Sequence, residues 1–123
     1  MQIHEIAFSA YKVSDVGRAR GFYEGVLELK TDGVHGSPSG TWIEYPIGPH
    51  TLAITNVDSP WKPSSDGGMV ALEVDDFDAS IAELDKAGVK FYMEPFASPV
   101  CRMAIVADPD GNTVCIHRRN DPA

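Results

Sequence analysis

The feature that most restricts how this chain can fold is an internal repeat. Laid over itself at an offset of 61 residues, the sequence places Val13-Ser14-Asp15 on Val74-Asp75-Asp76. On either side of that junction both halves show the same order of hydrophobic patterns, and a repeated supersecondary unit decides the fold before any finer reading. In the first half, Ile3 to Val13 alternates loosely and predicts a strand, and Asp15 stands where a helix N-cap belongs. Ala19, Phe22, Tyr23, Val26 and Leu27 then fall on one helical face. Leu29 to Asp32 predicts a short strand, His35 to Gly40 (HGSPSG) a loop, and Thr41 to Ile47 with Thr51 to Val57 a hairpin through Gly48-Pro49-His50. In the second half, Met69 to Val74 predicts a strand and Asp75-Asp76 a cap, and Ile81, Leu84 and Ala87 mark a helix face ending at Gly88. Val89 to Tyr92 predicts a short strand, Glu94 to Pro99 a loop, and a closing hairpin follows. Each half is thus a βαβββ unit: repeat one covers about 1–58, a Pro/Ser/Gly-rich linker 58–68, and repeat two about 69–119.

The closing hairpin is the most explicit local signal. Ala104-Ile105-Val106 and Thr113 to His117 are alternating, β-branched runs around Asp108-Pro109-Asp110-Gly111-Asn112. There Pro presets φ, Gly permits φ > 0 and the Asx side chains bond nearby amides. Period-2 alternation puts Thr113, Cys115 and His117 on one face and Val114 and Ile116 on the other. A turn near Asp110 sets Cys101 opposite Arg119 and not opposite Cys115. Both cysteines are therefore expected as thiols in a reducing compartment.

A strand, DPDGN and a second strand near the C-terminus resemble the closing hairpin of the vicinal oxygen chelate superfamily, which includes glyoxalase I, extradiol dioxygenases and bleomycin resistance proteins. The resemblance covers essentially the whole chain. It implies an α+β fold in which two βαβββ repeats form one curved, mostly antiparallel open-barrel sheet with helices outside and a cavity inside, within a single domain of residues 1–123. It also implies four metal-ligand positions, one on the first and one on the last strand of each unit. Carried onto this sequence they are Phe8, Ala53, Met69 and Cys115, the last of these four residues after Gly111 where metal-dependent relatives have Glu. Phe and Ala carry no donor atom, and a thioether with a thiol does not satisfy a hard or borderline cation. No metal and no other cofactor is expected at the family position.

Composition narrows the partners. Eighteen acidic against ten basic side chains give a formal charge of −8, and no basic run exceeds Arg118-Arg119. Nucleic acid is therefore not an expected partner, and a cationic small molecule is favoured electrostatically. There is no apolar run long enough for a membrane span and no signal-peptide pattern, so a soluble cytoplasmic protein is expected.

In place of a metal, the expected cavity is soft and apolar. Phe8 and Ala10 share a face of the first strand, Met69 and Ala71 share the matching face in repeat two, and Ala53, Cys115 and His117 join them from the last strands. Trp42 and Glu44 share parity, so an indole and a carboxylate point the same way, as a pair that stacks on and neutralises a cationic aromatic ring would. The expected ligand-binding set is Phe8, Ala10, Trp42, Glu44, Ala53, Met69, Ala71, Cys115 and His117, with no catalytic residue assigned. The leading expectation is a metal-free, bleomycin-resistance-type binder of an apolar or cationic aromatic compound. Two alternatives stand beside it: a glyoxalase- or dioxygenase-type enzyme with a metal relocated to His4, His117, Glu44 or His50, and a non-catalytic dimeric scaffold. The resemblance further implies a homodimer, for which Tyr45, Trp61, Phe91, Tyr92 and Phe96 are the expected exposed aromatics. Trp61, in the linker, is expected either as a lid or as an anchor.

Overall fold

The computed structural model describes residues 1–120. It contains two compact units, one from Met1 to Pro63 and one from Ser64 on, so the division falls inside the Pro/Ser/Gly-rich linker. The first unit runs β1 (Ser9–Lys12), α1 (Val16–Arg20) continued by a π-helical turn (Gly21–Val26), β2 (Gly33–Ser37), β3 (Gly40–Ile47) and β4 (His50–Thr55). The second runs β5 (Val70–Glu73), α2 (Phe77–Lys86), β6 (Phe91–Ala97), β7 (Cys101–Ala107) and β8 (Thr113–Arg119). The sheets have the orders β1-β4-β3-β2 and β5-β8-β7-β6. In each, the first strand pairs parallel with the last and the other pairings are antiparallel. The α+β class and both βαβββ units are as expected. The single curved sheet of the sequence reading resolves into two four-stranded sheets, neither closed into a barrel.

The repeat holds down to backbone angles. Asp15 and Asp76 are both N-caps, at φ −126°, ψ 106° and φ −127°, ψ 100°, and their carboxylates accept from the amides of Arg18 and Ala79. Each satisfies a helix-start donor that would otherwise be orphaned. At the other end of α2, Gly88 takes φ +72°. The Val89 amide then reaches back to the Leu84 carbonyl, a left-handed stop that Gly adopts without a Cβ penalty.

Both helices pack on one face of their own sheet. In the first unit Tyr23 stacks on Tyr45 with centroids 6.3 Å apart and lies 6.0 Å from Tyr11. Full burial of side chains this size contributes about 1.5–3 kcal/mol each. The Tyr45 hydroxyl donates to Glu24 Oε2 at 2.9 Å, and Arg20 Nε donates to the same oxygen at 2.6 Å. Burial first, and that bond second, hold the Tyr45 phenol far above its ordinary value, while the Arg20 bond keeps Glu24 below the usual carboxylate range. In the second unit Phe77 and Leu84 of α2 are buried, and the Arg102 guanidinium lies 4.5 Å from the Phe77 ring while pairing with Asp78. Tyr11, Ile43, Tyr45 and Ile54 thus face α1, and Val106, Val114 and Ile116 face α2. The alternate residues of each strand lie on the helix-free face.

Several expectations require correction. Residues 1–8 are exposed and outside β1, so His4 does not share a strand face with Phe8. The loop expected from His35 to Gly40 is mostly β2 with a tight turn, and no strand forms over 29–32; the loop expected over 94–99 is largely β6. Both misread segments are sheet edges, where Gly and Pro are tolerated because one row of backbone groups needs no ladder partner. β6 absorbs its Pro95 with register shifts on either side of Met93. Tyr45 is 0% exposed, held between Tyr23 and Glu24, and is not a surface aromatic. The regular helical spacing through Leu27 gives way to the π-helical turn, in which the Leu27 amide bonds the Phe22 carbonyl and both Phe22 and Tyr23 are buried.

The DPDGN turn is built around Asp108. Its Oδ1 accepts from the amides of Asp110 and Asn112 at 2.9 and 2.8 Å, and its Oδ2 from Asn112 Nδ2 at 2.9 Å. Gly111 sits at φ +86° with its carbonyl accepting from the Tyr92 hydroxyl at 2.8 Å. Asn112 Oδ1 in turn accepts from the Ser64 amide and Thr113 Oγ1 donates to the Ser65 carbonyl, which ties the start of the unit to its closing hairpin. The register that follows sets Cys101 opposite Arg119, as the sequence predicts, and both cysteines are free thiols.

Candidate functional site

Register builds the helix-free face of the first unit in rows. One row runs Ala10, Ala53, Glu44, Gly33, and the next runs Lys12, Thr55, Trp42, His35. Phe8, one residue before β1, is 49% exposed and meets Trp42 edge-on, with centroids 5.1 Å apart and planes at 86°. Trp42 Nε1 donates to Glu44 Oε2 at 2.9 Å. That bond, available because residues i and i+2 of a strand share a face, satisfies the indole N–H and fixes the ring against Phe8. The parity of Trp42 and Glu44 expected from sequence is therefore realised as a direct contact. Ala53 lies in the middle of the face with 0% exposure.

Lys12 closes one end of this face. Its Nζ donates to the Val57 carbonyl at 2.5 Å and to Ser59 Oγ at 2.7 Å, and stands 5.2 Å from the centroid of Trp61. Of the two roles expected for Trp61, the anchor is the one with contacts: Lys12 fastens the start of the linker to its own unit. His35 was absent from the sequence-derived set because it was read as loop. In β2 it pairs with Trp42, and its imidazole leans across Gly33, whose missing side chain makes the room. A Cβ there would stand 2.7 Å from His35 Nε2.

The second unit repeats the rows with different chemistry. Ala71, Cys115, Ile105 and Met93 form one row, and Glu73, His117, Met103 and Phe96 the next. Met69 precedes β5 and is 45% exposed, whereas Cys115 is 0% exposed. Burial pushes the Cys115 thiol up, away from the thiolate a nucleophile needs. Glu73 Oε1 lies 2.6 Å from His117 Nδ1, and Oε2 accepts the Arg119 amide at 2.7 Å. The Arg119 amide first, and His117 second, hold the Glu73 carboxyl below its ordinary value.

The four family metal positions do not suit a divalent ion. Phe8 and Ala53 lack donors, and Met69 and Cys115 are soft, the latter a buried thiol. The alternative ligands do not assemble either. His50 pairs with Ile47 on the helix side of β4, opposite to Glu44, and His117 is engaged with Glu73. Among the described residues no three His, Cys, Asp or Glu side chains are grouped to hold a metal.

The comparisons with known proteins agree with this architecture. Residues 2–116 match the family model described as the Glyoxalase/Bleomycin resistance protein/Dioxygenase superfamily. TnmS3, an antibiotic binding protein from Streptomyces sp. CB03234, superposes with a TM-score of 0.81 at 26% identity, covering 98% of this chain and 99% of that one. A glyoxalase/bleomycin resistance protein from the same Streptomyces gives 0.75 at 26% identity, covering 91% of this chain and 98% of that one. Leishmania major glyoxalase I, described as trypanothione-dependent, gives 0.77 at 24% identity, covering 94% and 87%, a likeness of fold. No curated protein matches. The chain belongs to the glyoxalase/bleomycin resistance protein/dioxygenase superfamily.

Proposed function

We propose that this chain is a metal-free binding protein that holds an apolar or cationic aromatic small molecule on the helix-free face of its first unit. Phe8 and Trp42 are the ring contacts, Glu44 the orienting carboxylate, and Ala10 with Ala53 the small residues that leave room. Met69, Ala71, Cys115 and His117 are proposed as the ligand-binding residues of the second unit's own helix-free face. The observation that carries the reading is the Phe8–Trp42 edge contact with Glu44 fixed on the indole nitrogen. Two aromatic rings in edge contact offer apolar area, and the indole, already held by Glu44, does so at little entropic cost. The adjacent carboxylate and the formal charge of −8 favour a cation. Likeness to an antibiotic binding protein at 26% identity supports a small-molecule ligand.

The reading includes a homodimer, supported by the exposed Trp61, Tyr92 and Phe96, and a reducing, cytoplasmic setting, supported by the two free thiols. A monomer in sedimentation at micromolar concentration contradicts the dimer. The binding claim is tested by a thermal-shift screen of neutral and cationic ring compounds, because a ligand of the folded state alone raises Tm. Trp42→Ala is expected to reduce the shift from every ring ligand. Glu44→Gln, which keeps an oxygen acceptor for the indole, is expected to reduce only the cationic ones, and by less at high salt. Zinc retained stoichiometrically after incubation and desalting overturns the metal-free part.

A further inference from the structure

The Glu73–His117 pair of the second unit has a polarity that the preceding reading leaves unused. Glu73 is a carboxylate tied to four groups of β8: the Arg119 amide at 2.7 Å, His117 Nδ1 at 2.6 Å, Arg118 Nη1 at 3.6 Å and Arg119 Nη1 at 3.9 Å. An ionised carboxylate only accepts hydrogen bonds, so the 2.6 Å contact requires the proton on His117 Nδ1. In the neutral imidazole that fixes the tautomer and leaves Nε2 as a lone-pair acceptor. No further partner for His117 is found among the described residues. The imidazole is neither sealed nor lost to solvent, with its side chain 20% exposed.

Glu73 and the arginines paired with it flank His117 on one side, and toward β7 its neighbours are apolar. His117 stands between Glu73 and Met103 in a row that ends at Phe96, and the adjacent row carries Ala71, Cys115, Ile105 and Met93. Methionine and isoleucine side chains at the middle of a sheet face offer adaptable, polarisable contact to a flat ring. A single oriented acceptor among such residues selects for a ligand that brings a donor, because an acceptor covered by an apolar ring without one loses its water for nothing.

We propose that the helix-free face of the second unit binds a hydroxyl-bearing aromatic, a phenol or naphthol, with its ring on Met103 and Ile105 and its hydroxyl donating to His117 Nε2. Glu73 acts as a positioning residue that holds the tautomer. This inference rests on the proposed assignment of His117 as a ligand-binding residue and deepens it by naming the group it takes; it does not depend on the Phe8–Trp42 contact, which concerns other residues.

The test uses the full chain and two matched probes, 2-naphthol and 2-methoxynaphthalene, which share a ring system and differ in the donor. In long-range 15N–1H spectra of the free protein near pH 8, His117 is expected to show a protonated Nδ1 and an unprotonated Nε2. Titration with 2-naphthol is expected to move the Nε2 resonance, and the ether is expected not to. Calorimetry should give the naphthol an advantage of about fivefold, the size of one net hydrogen bond. That advantage should vanish in His117→Phe and fall in Glu73→Gln, and Trp42→Ala should leave it intact. Equal affinity for the two probes, no binding of naphthol at millimolar concentration, or an Nε2–H tautomer in the free protein each overturns the proposal. The spectroscopic arm needs no variant, so a misfolded substitution does not blunt it.

Discussion

Replacing Asp108 by Ala should remove more stability than any other single substitution in the closing hairpin. Asp108 is 4% exposed, and its carboxylate takes the amides of Asp110 and Asn112 and the side-chain amide of Asn112 at 2.8–2.9 Å. The Asp110 amide is only partly buried and can be rehydrated, but both Asn112 donors are buried. Stranding a buried donor costs about 1–3 kcal/mol, and a hydrogen bond to a charged group contributes about 1.5–3 kcal/mol. Two stranded donors and one rehydrated amide give an expected loss of about 3–6 kcal/mol. That is a large share of the 5–15 kcal/mol typical of a small protein. Urea unfolding followed by far-UV circular dichroism measures it. Asp108→Asn, which keeps one oxygen for the two main-chain amides but turns a donor toward Asn112 Nδ2, should lose distinctly less. A loss below about 1 kcal/mol for Asp108→Ala would refute the argument that this carboxylate organises the turn.

Gly40→Ala should also destabilise strongly: φ is +145° there, and a Cβ would stand 2.7 Å from Asn56 Oδ1 and 2.8 Å from Val57 Cα, so a lowered Tm is expected and an unchanged one contradicts the turn geometry. Alkylation mapped by mass spectrometry should label Cys101 in the native protein and Cys115 only on unfolding, since burial raises the Cys115 thiol and leaves it no exposed surface. Glu73 titrates lower in the folded than in the unfolded chain, so its contribution is fully present above the ordinary glutamate value of 4.5 and is lost as pH falls through the folded value. The stability gap between the parent and Glu73→Gln, read by denaturant titration across pH, should therefore be widest at neutral pH and close in acid; a gap that widens in acid contradicts the sign.

How much of this could be read from the sequence divides along physical lines. Features set by local chemistry were legible. Asp15 and Asp76 cap because a carboxylate before an apolar helical face has few other uses, and Cys101 meets Arg119 because a turn at a fixed place dictates pairing by counting. The edge strands β2 and β6 were not legible, because Gly, Ser and Pro signal loops only where both sides of a strand need ladder partners. β2 and β6 each have one such side. The burial of Tyr45 was not legible because only the packing of α1 brings Glu24 within reach of its hydroxyl. On the helix-free face of the first unit, the pairing of Ala10 with Ala53 and the parity of Trp42 with Glu44 follow from period-2 alternation, whereas Phe8 stands before β1 and meets Trp42 through an edge contact that alternation does not predict. His35 over Gly33, and His117 locked by Glu73, depend on strand pairings that hydrophobic pattern alone does not fix.

The central claim is that Trp42 is part of the ligand surface, and its indole N–H, held on Glu44 Oε2, is a built-in reporter. In 15N-labelled protein the two tryptophans give two indole cross-peaks, which Trp61→Phe assigns. On titration with the best ring compound from the thermal-shift screen, the Trp42 cross-peak should move in proportion to occupancy, and in Glu44→Gln it should start elsewhere yet still respond to a neutral ring. A ligand that raises Tm and saturates by calorimetry while the Trp42 cross-peak stays fixed would contradict the account.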